Sequence, residues 1–519
     1  MRLRALLFFL LISVSLYAQE DFVTRLPIVI VNTDIDAVTG LPAEIPDEPK
    51  VGASMKIIYV DDTTVNHLSD SNNSAKLHYD GRIAIEIRGF TSQLTEKKSY
   101  GLETRKADNV SNNNVPLLGM PKEHDWILNG FYYEDSYLRD PLTYTLARRT
   151  GHYAPRTHYC ELFLNGIYQG LYLFSEKIKQ DKNRVNIKKM DEDDITEPAV
   201  TGGYIFKADR AMGDDSIAWV TNSRIEGATV TYVYHTPKGR NITPEQRAYI
   251  HDYFFDFMQA VSIDDTSETT GYPAFIDVQS FIDFMIVSEL ASNADIYQMS
   301  TFFHKDRNGK LCAGPVWDFN FAYGNDFLER ARYDVWQFDN NDNDGSPFWK
   351  QLFDSPYYHR RLVARWHELT SDGGPLAYNS MMALVDSLEA AHYDAVPRDK
   401  NRWPNLIVDY DYHMWILRQW IHDRYQWLNG HLRIGIQDGP EMPHVTIAPN
   451  PTHDKLTITS HADGIELVEI YDIQGTLFIR QAVDGLHTIV DLSHLPAGVY
   501  ISRVDAGGRS VFREVVKLR

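Results

Sequence analysis

The chain has 519 residues, long enough for two or three domains, because single cores rarely grow beyond ~250–300 residues. With 43% hydrophobic and 12% aromatic residues it is globular rather than disordered. A formal net charge of -20 argues against nucleic acid or an anionic membrane as the main partner, since both attract basic surfaces, whereas a nucleotide stays permitted where a divalent cation bridges phosphates to carboxylates.

Arg2 and Arg4 precede an apolar stretch from Ala5 to Leu16, and Tyr17-Ala18 offers a small residue before Gln19. This pattern predicts a signal peptide over 1–18 and a mature chain that begins near Gln19. The run falls short of the ~20 residues a spanning helix needs, so no transmembrane anchor is expected in the mature chain. Cys160 and Cys312 remain, compatible with one disulfide or with two unpaired thiols.

Residues 19–236 read as a β-rich region. Ile28 to Val31, Met55 to Val60, Ile83 to Arg88 and Glu161 to Leu164 are β-branched or aromatic runs broken by Asp, Asn and Gly turns. Asn165-Gly166 predicts a tight hairpin, because both positions of a type I′ turn need positive φ. One helix is expected over Asp135 to Thr150, where leucines recur at helical spacing before Gly151. Arg88-Gly89-Phe90-Thr91-Ser92-Gln93 is a compact turn before a returning strand that carries Lys97 and Lys98. Such a turn can offer backbone amides to a phosphate and a lysine can reach it, although a solvated hairpin explains the same residues. Glu176 stands at a strand end, where a structural ion pair is equally suitable.

Residues 237–436 read as an α-rich region. Thr243-Pro244 opens a helix, another is expected over Ile276 to Leu290, and further ones near Phe348 to Phe353, Tyr357 to Leu369, Ala377 to Ala395 and Met414 to Leu432. Between them lies Asn293 to Gly324. Asp295 closes an apolar helical run, and Asp318 follows a short hairpin-like insert; two carboxylates held by rigid elements suit a base plus a metal ligand. Asn340 to Gly345 resembles the start of a calcium loop, but Gln351 stands where a bidentate Glu closes such loops, so a polar surface loop is expected.

From Gln437 to Arg519 six short strands predict a small all-β sandwich. Ala448-Pro449-Asn450-Pro451, Ile470-Tyr471-Asp472-Ile473-Gln474-Gly475, Leu495-Pro496-Ala497-Gly498-Val499-Tyr500 and the basic end at Lys517 resemble the type A C-terminal sorting domain of the type IX secretion system. The resemblance implies handling by that machinery and a secreted or cell-surface location reached through the periplasm.

The main region also resembles a family. Arg88-Gly89-Phe90-Thr91-Ser92 with Lys97 to Tyr100, Asp125 to Asn129 with Leu138-Arg139-Asp140, Leu164-Asn165-Gly166 through Glu176, Asn293-Ala294-Asp295, and Pro315 to Asn320 occur in the order seen in the CotH kinase family. The resemblance implies an α+β fold with a bilobed atypical-kinase-like domain, a β-rich lobe before an α-rich one, followed here by the Ig-like sandwich. It implies use of ATP with Mg²⁺ or Mn²⁺ and transfer of the γ-phosphate to Ser or Thr of an exported or envelope protein. On that likeness Asp295 is the catalytic acid facing the acceptor hydroxyl and Asp318 the metal ligand. Lys98 and Lys97 are phosphate contacts, and Arg88 and Glu176 further cleft residues. Ser300 and Asn320 depart from the pattern, standing where acidic or amide metal ligands are expected, so a one-metal kinase, a slow kinase and a pseudokinase scaffold all fit. A glycan-processing pair of acids is the other chemistry that two carboxylates allow.

Overall fold

Every second residue along the early strands is apolar, and such alternation buries one face of a sheet. Seven described strands use that face to close a barrel. Around it they run Thr157–Leu164, Ile167–Glu176, Asp125–Asn129, Ser99–Arg105, Leu77–Arg88, Val51–Ile58 and Ile28–Thr33, and the last pairs parallel with the first. Val29, Val31, Met55, Ile57, Ile83, Ile85, Leu102, Trp126, Leu128, Leu162 and Phe174 fill its interior. The computed structural model describes residues 21–89, 91–213, 215–406, 409–432, 445–460, 464–472, 476–506 and 509–518. The expected signal peptide, Phe90 and the Gln437 to Pro440 stretch lie outside them.

Asn165 and Gly166 both adopt positive φ (49° and 78°) and join paired Leu164 and Ile167, as the hairpin reading requires. The other barrel face turns toward helices: Tyr159, Leu171 and Leu173 pack in the same cluster as Leu142, Leu146 and Phe254. The first helix is Arg139–Arg149, four residues shorter at its start than the leucine spacing predicts. Glu134 accounts for the difference, because its carboxylate accepts hydrogen bonds from the Ser136 and Arg139 backbone N–H groups (3.0 and 3.3 Å) and holds the intervening turn open.

A five-stranded sheet follows the order Ile217–Asn222, Thr229–Thr236, Tyr204–Ala208, Thr301–Lys305, Leu311–Ala313. Three of its strands precede residue 237 and two follow it, so the hairpin between Asp295 and Asp318 is built onto a sheet of the earlier region. Thr243 caps the helix Pro244–Ser262 reciprocally with Gln246. Asp277 caps Val278–Ala291 by accepting from Ser280 N–H (2.8 Å), and from Ser280 onward that helix is buried on all sides. Among the described residues no helix is long and apolar enough to cross a membrane. Cys160 lies buried in the barrel and Cys312 on the hairpin, and the two are unpaired.

The calcium-like stretch is the expected surface loop only at Asn341 and Asp342, which are exposed; Asn343 turns inward. Asn343 is 1% exposed and its amide donates to Ile296 O (2.8 Å), while Asp344 N–H donates to the Gln298 side chain (3.1 Å). Its polar side chains buttress the backbone after Asp295.

The chain divides into Met1–Leu432 and Arg433–Arg519. The second unit is all-β: a sheet of Val445–Ala448, Lys455–Ser460 and His487–Asp491, and a sheet of Leu477–Gly485, Ile465–Asp472, Gly498–Ala506 and Arg509–Lys517. Leu456, Ile458, Val468, Ile470, Val490, Val504 and Val515 form its core.

Within the first unit one buried carboxylate ties the barrel to the helices. Asp399 accepts from Lys97 Nζ (2.7 Å), Tyr137 Oη (2.7 Å) and Leu171 N–H (2.8 Å). The approach is close enough that Gly170, at φ +102°, has no room for a Cβ. Lys97 and Asp399 are each 1% exposed, and removal of one partner strands the other charge in a medium that cannot solvate it. Asp399→Ala is expected to destabilise the first unit by about 3–5 kcal/mol in chemical denaturation. Lys98→Ala, which removes one bond to Gln93 O, should cost less than about 1 kcal/mol.

Candidate active site

The buried helix Val278–Ala291 cannot continue past Ser292, which takes the left-handed conformation (φ 46°) and turns the chain out. The next residue, Asn293, is 1% exposed and uses both ends of its amide. Its Nδ2 donates to Asp318 O (3.0 Å) and its Oδ1 accepts from Asp295 N–H (3.0 Å). Ala294 N–H donates to Phe321 O (2.9 Å) and Tyr323 N–H to Ala291 O (2.7 Å), so the two acid-bearing segments run bonded side by side.

The first helix holds the second segment from the other side. Asp140 Oδ1 accepts from Phe319 N–H (2.7 Å) and its Oδ2 from Asn129 Nδ2 (3.2 Å). One turn on, Tyr144 Oη accepts from Asp318 N–H (3.1 Å) and its ring stacks on Trp317 at 5.9 Å. These contacts hold Asp318 at φ +62°, a conformation that a non-glycine residue keeps only when its surroundings impose it.

The acids face a cleft of about 410 Å³. Asp295, Ser300, Asp318, Asn320 and Arg88 all line it, together with Asp140, Tyr144 and Asp209. The guanidinium of Arg88 lies 5.4 Å over the Trp317 ring, and Arg330 sits 3.2 Å from Asp295. Three other candidates are not among its lining residues. Lys97 is locked to Asp399, Lys98 donates to Gln93 O (2.7 Å), and Glu176 is sealed between Arg156 (2.9 Å) and Arg184 (3.7 Å). The returning strand runs Ser99–Arg105, so both lysines precede it rather than lie on it as expected, and strand periodicity gives no direction for either.

Asp140, Tyr144 and Asn293 were missed as site residues. The first two stand four apart, the helical spacing for one face, and Asn293 precedes Asp295 in a motif already noted; these are the available signals.

Crowding sets the electrostatics. The Asp318 carboxyl reaches water in the cleft but is hemmed in by protein, and it is raised from 3.8 to about 7 by burial, then by the Asp140 and Asp295 charges, with Arg88 opposing. Asp140 is raised to about 6 by burial, offset first by the Phe319 N–H. Burial raises Asp295, and Arg330 opposes it. Among the described residues the cleft carboxylates do not close into a ready three-ligand cage; Glu123, His124 and Asp125 do, but Lys179 already neutralises both acids there (3.1 and 2.6 Å). An all-oxygen set with an incomplete cage suits Mg²⁺ or Mn²⁺, since Mg²⁺ takes one or two carboxylates and completes its shell with water and phosphate oxygens.

A family model described as CotH kinase protein matches residues 85–428, and one described as secretion system C-terminal sorting domain matches residues 446–518. No curated protein matches the chain.

A carboxyl raised above its unfolded value keeps a proton that the unfolded chain releases between about pH 4 and 7. Stability of the metal-free protein therefore falls as pH rises through that window. Asp318→Asn should raise the metal-free unfolding free energy at pH 7.5 by on the order of 1 kcal/mol, once water in the cleft is allowed for, and should abolish stabilisation by added Mg²⁺. Calorimetry at pH 5 and 7.5, with and without Mg²⁺, reads both effects.

Proposed function

The chain belongs to the CotH kinase protein family, and from that premise we propose that its cleft moves the terminal phosphoryl group of ATP to a Ser or Thr hydroxyl of an exported or cell-surface protein. The observation that carries the reading is the convergence of Asp295 and Asp318 on one cleft, their backbones tied through Asn293. The barrel and the helices beyond it stand for the two lobes of a kinase-like domain.

Asp318, with the Asn320 amide beside it, is the ligand for a divalent cation, which supplies neutralisation of the phosphates when bound. Asp140 positions Asp318 by holding the next backbone N–H. Arg88, braced on Trp317, contacts phosphate oxygens. Asp295 orients the acceptor hydroxyl and takes its proton as the oxygen–phosphorus bond forms and the bond to the leaving diphosphate breaks. A raised carboxyl pKa narrows the gap to the hydroxyl it must deprotonate. The sorting tail marks the chain for export, with the type IX machinery as its partner and the cell surface or exterior as its site of action.

One contact favours a second reading. Arg330 holds Asp295 in an ion pair, and Ser300 and Asn320 bring no charge to a second metal, which together suit a nucleotide-binding scaffold with little turnover. Labelled ATP with Mg²⁺ or Mn²⁺ and generic acceptors decides between them. Transfer by the mature protein that drops roughly 10²- to 10⁴-fold in Asp295→Ala, and vanishes in Asp318→Ala, supports the kinase. Nucleotide binding without transfer supports the scaffold, and label that persists in both variants removes both acids from the mechanism.

A further inference from the structure

A second hollow, of about 230 Å³, adjoins the segment that carries Asp318. Val316 lines it, while the next two residues, Trp317 and Asp318, line the cleft; on the first helix Ala147 lines the hollow and Tyr144 the cleft. Two elements thus form a wall common to both spaces. Gly151 and Asn186, both exposed, mark the mouth of the hollow toward solvent.

The polar groups around it are nearly all spent inside the fold. Asp283, with 1% of its side chain exposed, accepts from His152 Nε2 (2.8 Å), Arg365 Nε (2.8 Å) and Gln279 Nε2 (3.1 Å). Ser280 Oγ donates to Asp277 O (2.8 Å) and accepts from Ala313 N–H (3.2 Å), and Thr150 Oγ1 donates to Ala147 O (2.8 Å). Arg184 Nε and Tyr153 Oη lack partners, yet both atoms are covered by their neighbours. His304 is different. Its Nδ1 meets Gly314 O (3.0 Å), and a carbonyl only accepts, so the ring proton sits there and Nε2 keeps a lone pair with no partner among the described residues. Burial lowers the His304 pKa and keeps the ring neutral.

The rest of the wall is apolar, with Ala147, Phe284, Val287, Pro315 and Val316 around the space. A bound water needs two to four polar partners and finds few here, so an apolar group displaces it readily. The volume exceeds the ~150 Å³ that holds benzene in an engineered apolar cavity and falls short of the roughly 300 Å³ at which pockets for larger ligands begin. Charge is settled too, because Arg365 matches Asp283, and an ionic ligand would be desolvated without a counter-charge.

We propose that this hollow binds a neutral aromatic molecule of one or two rings whose single N–H or O–H donates to His304 Nε2. The site is independent of the phosphotransfer reading. Indole and 1-methylindole, which differ by the N–H, are titrated into the mature protein by calorimetry. Indole is expected to bind, and 1-methylindole to bind roughly 3- to 10-fold more weakly, the effect of one hydrogen bond. His304→Phe should erase the advantage of indole, and Ala147→Leu, which fills the space, should weaken indole by roughly tenfold or more. Melting curves show whether each variant folds; where one does not, amide exchange in the unsubstituted protein decides, with indole expected to slow exchange over residues 147–153 and 313–316. Absence of indole binding, equal binding of the two probes, an indole preference that survives His304→Phe, undiminished binding in Ala147→Leu, or protection confined to other segments each overturns the site.

Discussion

The carboxamide of Asn293 spans the gap between the two acids of the cleft, and the site depends on its having a donor at one end and an acceptor at the other. Neither Asp295 nor Asp318 lies on a helix or strand, so neither inherits a fixed position from a ladder of backbone bonds. Asn293 supplies that position from the end of a helix packed into the core, where displacement would break close contacts on every side. A carboxylate in its place would have no proton for Asp318 O, and a leucine would leave a buried N–H and C=O without partners.

Around that bridge, like charges are held closer than they would choose. Asp140 stabilises the fold by accepting backbone and side-chain hydrogen bonds, yet its charge raises the affinity of Asp318 for a proton. Crowded carboxylates of this kind favour keeping a proton on Asp318. Each acid also has its own guanidinium, Arg88 near Asp318 and Arg330 on Asp295. The first faces the cleft from the barrel and the second belongs to the turn after Asp318, so the two acids meet cations from different parts of the fold.

The cations show how one residue type divides between fold and function. Lys97 is sealed with Asp399 and holds the barrel to the helices; Lys98 closes its own turn. Arg88 holds its guanidinium at the cleft with the Trp317 ring beneath it. Arginine suits that place, being weakly hydrated and charged at every physiological pH.

Much of the architecture was legible in the chain because it rests on local regularities. β-Branched and aromatic runs marked the barrel strands, Asn165-Gly166 marked a hairpin, Thr243-Pro244 marked a helix start, and the spaced runs after residue 454 marked the β-strands of the tail. Ordered motifs around Asp295 and Asp318 pointed to the family. Other features needed the folded chain, because they depend on partners far away in sequence. Lys97 meets Asp399 across 302 positions, Asp140 meets Phe319 across 179, and Asn343 reads as part of a surface loop until its amide finds Ile296 O, just after Asp295. By itself the sequence determined which elements form and that two acids follow an apolar helix and a hairpin. Only the tertiary structure decided which cation reaches them and which residues hold them apart, since periodicity reports the side of an element and long-range packing decides what stands opposite.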